Sequence, residues 1–547
     1  MASSVACVGT NTKYGRGVFY VLLPNQFSQN ITAPSPPSFP STQSKQSKTR
    51  PASFDSTSAM SSWLRYLPDN RVKWTSGYSS YPVWASEPDL SAIKEIFISV
   101  LSGNFFDEPT KALSGDPDQD VRFLADGAHH KIYEATHPPW QTSFLLRVAV
   151  LIDSCLKLES EMATLAYLRQ KTKLPVSKPI SWSSRVDEKL GYEWSLVEKI
   201  PGVELRDVWR QVPWEKKAAI VEEMASFMTR LWDPTTPFSR IGSLYLVEPR
   251  PEGNDTHPNI LPRKVSKDEP QDLYFAIGPA VDGEFFERRR CFLDSHRGPY
   301  NNCQEWLRAL IEVEQEFLKS TKVLLDSRSE APAEYQGPDA ISAWEDEIGV
   351  DGNDFLKHHD SIMTLCETYL KLLPKVFPEE TGGDTNPKKG YLLHHCDLRS
   401  ANILVDPETF TITGIIDWER TVALPTWYSL EYPMFINHPE PLDDDLEPPI
   451  PDTYDQGSKS YDPVMVAIRD RWDARLLRDV FDKKLVELGW PTNWRSTSAR
   501  DEMKADFIQG VSDLGGHWRR ARNVIEGIHE DLEREEEEEF CQLWQET

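Results

Sequence analysis

The chain has 547 residues, of which 39% are hydrophobic, with 18 Trp, 23 Phe and 18 Tyr. At roughly 100–200 residues per domain this allows two to four compact units, and the apolar content excludes a chain that is disordered throughout. Asp plus Glu number 86 against 60 Lys plus Arg, a formal charge of −26, which repels nucleic acid and anionic lipid and favours cationic small molecules. No run of 18 apolar residues is present, so no membrane span is expected. Seven scattered Cys form no CxxC pair, which reads as reduced thiols rather than a disulfide framework or a zinc site.

Residues 1–54 contain no Asp or Glu and carry five cations, Lys13, Arg16, Lys45, Lys48 and Arg50. An acid-free, Ser-rich N-terminus is the composition of a mitochondrial transit peptide, and equally of a polar tail. The expected location is therefore cytoplasmic, with a mitochondrial alternative. The Pro/Ser/Thr-rich residues 32–58 read as linker. The expected domains are a disordered segment over 1–58, a nucleotide-binding lobe over 59–200 and a helical lobe over 201–547, with the catalytic loop at 394–419 and an acidic C-terminal helix.

Folding signals begin near Trp63. Thr142–Ile152 is rich in Val and Leu and predicts a strand. Lys157–Gln170 has apolar residues at Leu158, Met162, Leu165 and Leu168, a helical spacing. Tyr192–Ile200 predicts another strand, broken at Pro201-Gly202. Helical patterns then dominate, over Trp214–Trp232, Trp306–Leu325, Phe355–Leu373 and Val464–Leu488. The polar stretches Arg250–Asp272 and Ser327–Asp354 read as surface insertions. The acidic run Glu535–Glu539 reads as a solvated face. The expected class is α+β, a small antiparallel sheet lobe followed by a larger helical lobe.

Most of the chemical signal lies in Tyr391–Glu419, YLLHHCDLRSANILVDPETFTITGIIDWE. Here His395-x-Asp397-Leu398-x-x-x-Asn402 precedes a short strand, Ile403–Val405. A turn at Asp406–Thr409 follows, then a second strand over Thr411–Ile416 that ends in Asp417. Two carboxylates and a carboxamide thus sit at the ends of paired strands. Phosphoryl transfer from a metal nucleotide needs such a set: one Asp to orient the attacking hydroxyl, and hard oxygen ligands to hold Mg²⁺ on the phosphates.

This segment resembles the aminoglycoside phosphotransferase family, which has a protein-kinase-like fold, and in particular its fungal branch, with relatives of the altered inheritance of mitochondria protein. Leu145–Val148, Ser160–Leu165, Trp194–Gly202, Gly242–Tyr245, Ile277–Pro279 and Arg297–Tyr300 extend the resemblance over about residues 120–435. It implies a two-lobed kinase-like fold and an ATP- and Mg²⁺-dependent transfer to an alcohol group of a small molecule. Asp397 takes the place of the base, His395 of the structural histidine, and Asn402 and Asp417 of the Mg²⁺ ligands. Glu198 and Ile200 fall at the hinge that meets adenine, and Glu161 is the helix carboxylate that pairs with the phosphate-binding cation. That cation is usually Lys; here it is Arg147, a planar bidentate donor not equivalent to Lys. The phosphate loop, Asp126–Tyr133, retains one glycine, Gly127; its His129 and His130 are candidates to touch phosphate but read rather as exposed turn residues. The replaced lysine and reduced loop equally suit a pseudokinase-like scaffold with little activity. No activation-loop pattern follows Asp417 before Pro425, which disfavours a protein kinase. Asp443–Glu447 is a candidate acidic patch for a cationic acceptor but reads as a solvated loop, and Trp418 and Trp427 read as core.

Overall fold

The computed structural model describes residues 72–74, 82–84, 86–101, 121–137, 142–185, 189–233, 237–247, 273–326, 352–378, 390–438, 447–451, 453–454, 458–495 and 498–546. The N-terminal segment 1–58, the whole of Arg250–Asp272, Ser327–Asp354 except its last three residues, and Asp443–Leu446 lie outside them. The described residues divide into two compact units, one within His438–Arg475, the other within Ala59–Asn437 and Leu476–Thr547. In the first, Arg469 Nη1 lies 2.8 Å from Glu447, the described member of the acidic run, and Arg469 Nε lies 2.8 Å from Asp473.

The second unit begins with a small hairpin, β1 (Val72–Trp74) and β2 (Pro82–Trp84), and helix α1 (Leu90–Leu101). Five strands then form an antiparallel sheet: β3 (Val121–Asp126), β4 (His130–His137), β5 (Thr142–Ala149), β6 (Pro179–Ser183) and β7 (Glu193–Glu198), in the order β3-β4-β5-β7-β6. Strand β5 shows why the sheet has two different faces. Successive side chains point to opposite sides, so Phe144, Leu146 and Val148 enter a buried cluster with Ile93, Phe97 and Leu101 of α1. Leu145 packs instead into the cluster that holds Leu158 and Met162 of helix α2 (Leu156–Tyr167). Burying each such large apolar side chain stabilises the fold by about 1.5–3 kcal/mol. Arg147 shares the Leu145 face and so meets α2. The α-helical part of the expected Lys157–Gln170 helix ends at Tyr167. Leu168–Thr172 widens into a π turn that closes at Lys173, whose left-handed φ of 57° stops the helix ahead of Pro175.

The expected helices appear within a few residues of their predicted ends, as α4 (Trp214–Leu231), α5 (Cys303–Asp326), α6 (Gly352–Val376) and α8 (Pro463–Glu487), after the short α3 (Leu205–Val208). The last three residues of the expected Ser327–Asp354 insertion belong to α6. Helices α9 (Ala499–Asp513) and α10 (Trp518–Glu546) complete a helical lobe. Its core gathers Leu307, Ile311, Tyr369, Leu373, Phe507 and Ile528 from α5, α6, α9 and α10, and Tyr369 Oη donates to Ala521 O at 2.8 Å.

Two nested hairpins carry the predicted catalytic segment. Outer strands β11 (Tyr391–His394) and β14 (Val422–Pro425) pair antiparallel, and inner strands β12 (Ile403–Val405) and β13 (Ile412–Ile415) pair with Ile403 opposite Ile415. Short α7 (Thr426–Ser429) follows β14, and β9 (Ser243–Val247) pairs with β10 (Tyr274–Gly278). Strand β8 (Val203–Glu204), just after the sheet lobe, adds to β12. This close approach explains the expected break at Pro201-Gly202. Gly202 has φ 128°, and a Cβ there would lie 2.6 Å from Thr413 Oγ1 and 2.7 Å from Val405 O, so only glycine fits. The architecture is the α+β class expected, an antiparallel sheet lobe followed by a helical lobe.

Among the described residues no helix is long and apolar enough to cross a membrane. One buried group gives a test of the sheet lobe. Glu193 at the start of β7 accepts from the Cys155 backbone N–H at 2.8 Å, and burial pushes its pKa from 4.5 up to about 7. A carboxyl raised on folding loses stability as pH climbs from its unfolded value to its folded one. Glu193→Gln keeps an acceptor for Cys155. In urea melts it is expected to flatten the fall in stability between pH 5 and 8 by about 1–3 kcal/mol; an unchanged pH profile would contradict this.

Candidate functional site

Between β11 and β12 the chain makes two tight turns, Arg399 N donating to Asp397 O at 2.9 Å and Asn402 N to Arg399 O at 2.9 Å. These turns bring Asn402 back over Asp397: its Nδ2 donates to Asp397 O at 2.8 Å and to Asp397 Oδ2 at 3.1 Å. The Oδ1 end of the amide therefore points away from the Asp397 carboxylate. Ile416 N donates to Asn402 O at 2.9 Å, which sets Asp417 beside Asn402 at the end of the inner hairpin. His395 ties the two strand ends together. Its Nδ1 accepts from Asp397 N at 3.2 Å and its Nε2 donates to Ile416 O at 3.1 Å. Burial lowers its pKa to about 4, so the ring stays neutral and can make both bonds at once. Trp418 packs edge-on against it, ring centroids 4.5 Å apart, and is buried as expected. Trp427 is half-buried against the core of the helical lobe.

Electrostatics distinguish the two aspartates. Asp397 Oδ2 is 3.0 Å from Arg399 Nε, and burial raises the Asp397 pKa, opposed by Arg399 and the Asn402 hydrogen bond. Asp417 is raised further, to about 7, by burial first and then by the Glu419, Glu161 and Asp397 carboxylates against Arg147. Among the described residues no hydrogen bond or ion pair reaches the Asp417 carboxylate. Asp417 also adopts φ 65°, uncommon for a residue with a side chain. Carboxylate and carboxamide oxygens crowded around an unneutralised Asp form the hard donor set that suits a Mg²⁺ ion.

Arg147 on β5 donates to Glu161 on α2 through Nη1 and lies 3.4 Å from His130 Nδ1 through Nη2. Gly127 closes the β3–β4 turn, its N–H donating to His130 O at 2.8 Å. Glu198 ends β7 with its N–H committed to Lys178 O at 2.9 Å, and the Ile200 side chain lies close against Gly414 of β13. Both therefore stand where the sheet lobe joins the inner hairpin.

The structure corrects one expectation. His129 and His130 are not exposed turn residues: His130 is buried and His129 is mostly buried, because both turn toward Glu419. His129 Nδ1 lies 2.7 Å from Glu419 Oε1 and His130 Nδ1 lies 3.6 Å from Oε2. Glu419 also accepts from Lys157 Nζ at 3.0 Å. Glu419, Lys157, Arg399 and Arg420 are site residues that the sequence reading missed. One of them was within reach of periodicity: Lys157 lies four residues before Glu161 on the same helix face. Arg420 lies 2.9 Å from Glu287 Oε1 and rests on Gly283, where a Cβ would lie 2.2 Å from its Nη2. His130, Glu161 and Glu419 are close enough together to hold a metal, but Arg147 and Lys157 already supply their counter-charges.

The α+β architecture sets Glu161 of α2 against Arg147 of β5 and places Asp397, Asn402 and Asp417 on the nested hairpins, the arrangement that the resemblance to protein-kinase-like folds implies. No protein-family model matches the chain. Its curated relatives bear out the resemblance to the altered inheritance of mitochondria proteins. It is 25% identical over 377 residues to altered inheritance of mitochondria protein 9, mitochondrial, of Clavispora lusitaniae, covering 65% of this chain and 56% of that protein. It is 26% identical over 315 residues to a subtelomeric hrmA-associated cluster protein of Aspergillus fumigatus, covering 54% of this chain and 56% of that protein. The chain thus spans about half the length of the curated relatives it matches. Among solved structures it is similar to a thermostable mutant of aminoglycoside phosphotransferase APH(4)-Ia in ternary complex with AMP-PNP and hygromycin B, with TM-score 0.34 and 14% identity, over 80% of this chain and 98% of that one.

The His395 bridge is directly testable. His395→Ala removes a buried ring and leaves Asp397 N and Ile416 O without their partner, which is expected to lower stability by about 2–4 kcal/mol in urea unfolding. A variant as stable as the wild type would contradict the bridging role.

Proposed function

We propose that the protein is an ATP- and Mg²⁺-dependent phosphotransferase that moves the γ-phosphoryl group of ATP to a hydroxyl of a small molecule. The observation that carries this reading is the Asp417 carboxylate, which no described residue pairs, set beside Asn402 and Asp397. Asn402 Oδ1 and Asp417 would hold the metal, which when bound would neutralise charge on the transferring phosphates. Asp397, its carboxylate fixed by Asn402 and Arg399, would orient the acceptor hydroxyl and take its proton. Arg147, held by Glu161, would face the phosphates, Gly127 would let the β3–β4 turn pass close over them, and Glu198 and Ile200 would border the adenine. The chain's net charge of −26 favours a cationic acceptor.

A second reading, a scaffold of the same fold with little catalytic activity, is favoured by one observation. The cation that would face the phosphates, Arg147, is already engaged by Glu161. Thermal melts with Mg-ATP separate the two readings. The catalytic reading expects Mg-ATP to raise the wild-type melting temperature and Asp417→Asn to abolish that rise, since a ligand stabilises only by binding the folded state. Asp397→Asn should keep the rise and lose turnover by about 10²-fold or more in a labelled-ATP assay over a metabolite panel. Nucleotide-independent melting of the wild type would favour the scaffold.

For location, the acid-free residues 1–54 and the word mitochondrial in the name of the Clavispora lusitaniae relative support a mitochondrial site over the cytoplasmic one. N-terminal sequencing of the mature protein should then find a start downstream of Ala2. An intact Met1 or Ala2 terminus would contradict import with cleavage.

A further inference from the structure

We propose that Lys157 is a positioning residue: through Glu419 it fixes the segment that carries Asp417, and thereby sets how tightly the site holds a divalent cation. The identity of Asp417 as the metal ligand rests on the phosphotransferase reading above; the fixing of the segment does not.

Lys157 and Glu161 lie one turn apart on α2, so both project from the same helix face. Their charges go to different elements. Glu161 meets Arg147 of β5, within the sheet lobe, whereas Lys157 Nζ reaches Glu419 Oε2 at 3.0 Å, 262 residues along the chain. The Lys157 side chain is 4% exposed, so it acts through Glu419 rather than by touching a ligand. Glu419 spends its other oxygen on His129 Nδ1, which links the β3–β4 turn to the same carboxylate. Lys157 is the one fixed cation within 4.0 Å of Glu419 among the described residues.

The segment it holds is conformationally demanding. Asp417 and Arg420 both take φ 65°, on either side of Glu419, and such backbone persists only where surrounding contacts impose it. The Lys157–Glu419 pair is one such contact, with His395 on the Ile416 carbonyl and the Thr421 Oγ1 bond to Trp418 O at 2.7 Å. Without Lys157, a buried Glu419 carboxylate next to Asp417 would lose its counter-charge. The segment would then relax away from the geometry that faces Asn402.

The test uses the full chain as wild type, Lys157→Met, Lys157→Arg and the double variant Lys157→Met/Glu419→Leu. The double variant leaves no unpaired ion behind, so it keeps the proposal testable if Lys157→Met does not fold. The first readout is the Mg²⁺ concentration giving half of the stabilisation by AMP-PNP. It should rise about tenfold or more in Lys157→Met and the double variant, and recover toward wild type in Lys157→Arg. The second is amide hydrogen exchange of residues 416–421 without metal or nucleotide, which should quicken about tenfold in the same two variants. Folded variants with wild-type Mg²⁺ dependence and wild-type exchange would overturn the proposal. If AMP-PNP stabilises no form at any Mg²⁺ concentration, the phosphotransferase reading fails, and the exchange measurement alone decides whether Lys157 fixes the segment.

Discussion

A surplus of carboxylate in a confined space is the constraint on which the rest of the site depends. Burial first, and then the nearby Glu419, Glu161 and Asp397 carboxylates, push the Asp417 pKa up to about 7. The chain supplies Arg147 to Glu161, Lys157 to Glu419 and Arg399 to Asp397. Among the described residues it pairs none with Asp417. Folding does not by itself favour such an arrangement, because crowded like charges oppose compaction. On the proposed phosphotransferase reading, the site is prepared for a cation that arrives with its own anionic partner.

Backbone pairing creates this crowding. The inner hairpin sets Asn402 and Asp417 side by side, two turns return Asn402 over Asp397, and His395 stitches both strand ends through one neutral ring. Gly202 admits β8 against β12, so the end of the sheet lobe is stitched to the same hairpin. Positions set by main-chain hydrogen bonds are stiff, and the proposed phosphoryl transfer, a reaction dominated by positioning, would require that stiffness.

Much of this was legible in the sequence, and the reasons divide by range. The β5 strand, helix α2 and the long helices follow from apolar periodicity, which depends only on near neighbours. The strand–turn–strand around Asp406–Thr409 is equally local, and so is the grouping of Asp397 with Asn402. The contacts of Glu419 were illegible because its partners are distant in sequence: His129 is 290 residues away and Lys157 is 262. The same range explains the misreading of His129 and His130. A histidine pair at a hairpin tip is ordinarily solvated, and nothing near it in sequence announces the carboxylate that draws it inward. The π turn at Leu168–Thr172 also escaped periodicity, since one widened turn barely disturbs the apolar spacing.

The most direct measurement is a crystal structure of the protein grown with Mn²⁺ and AMP-PNP, in which anomalous scattering locates the metal. The account predicts a Mn²⁺ peak bound by Asn402 Oδ1 and the Asp417 carboxylate, with phosphate oxygens completing the shell and Asp397 standing clear on the acceptor side. Nucleotide density with the metal held elsewhere, or Asp417 still unliganded in crystals that contain both, would contradict it.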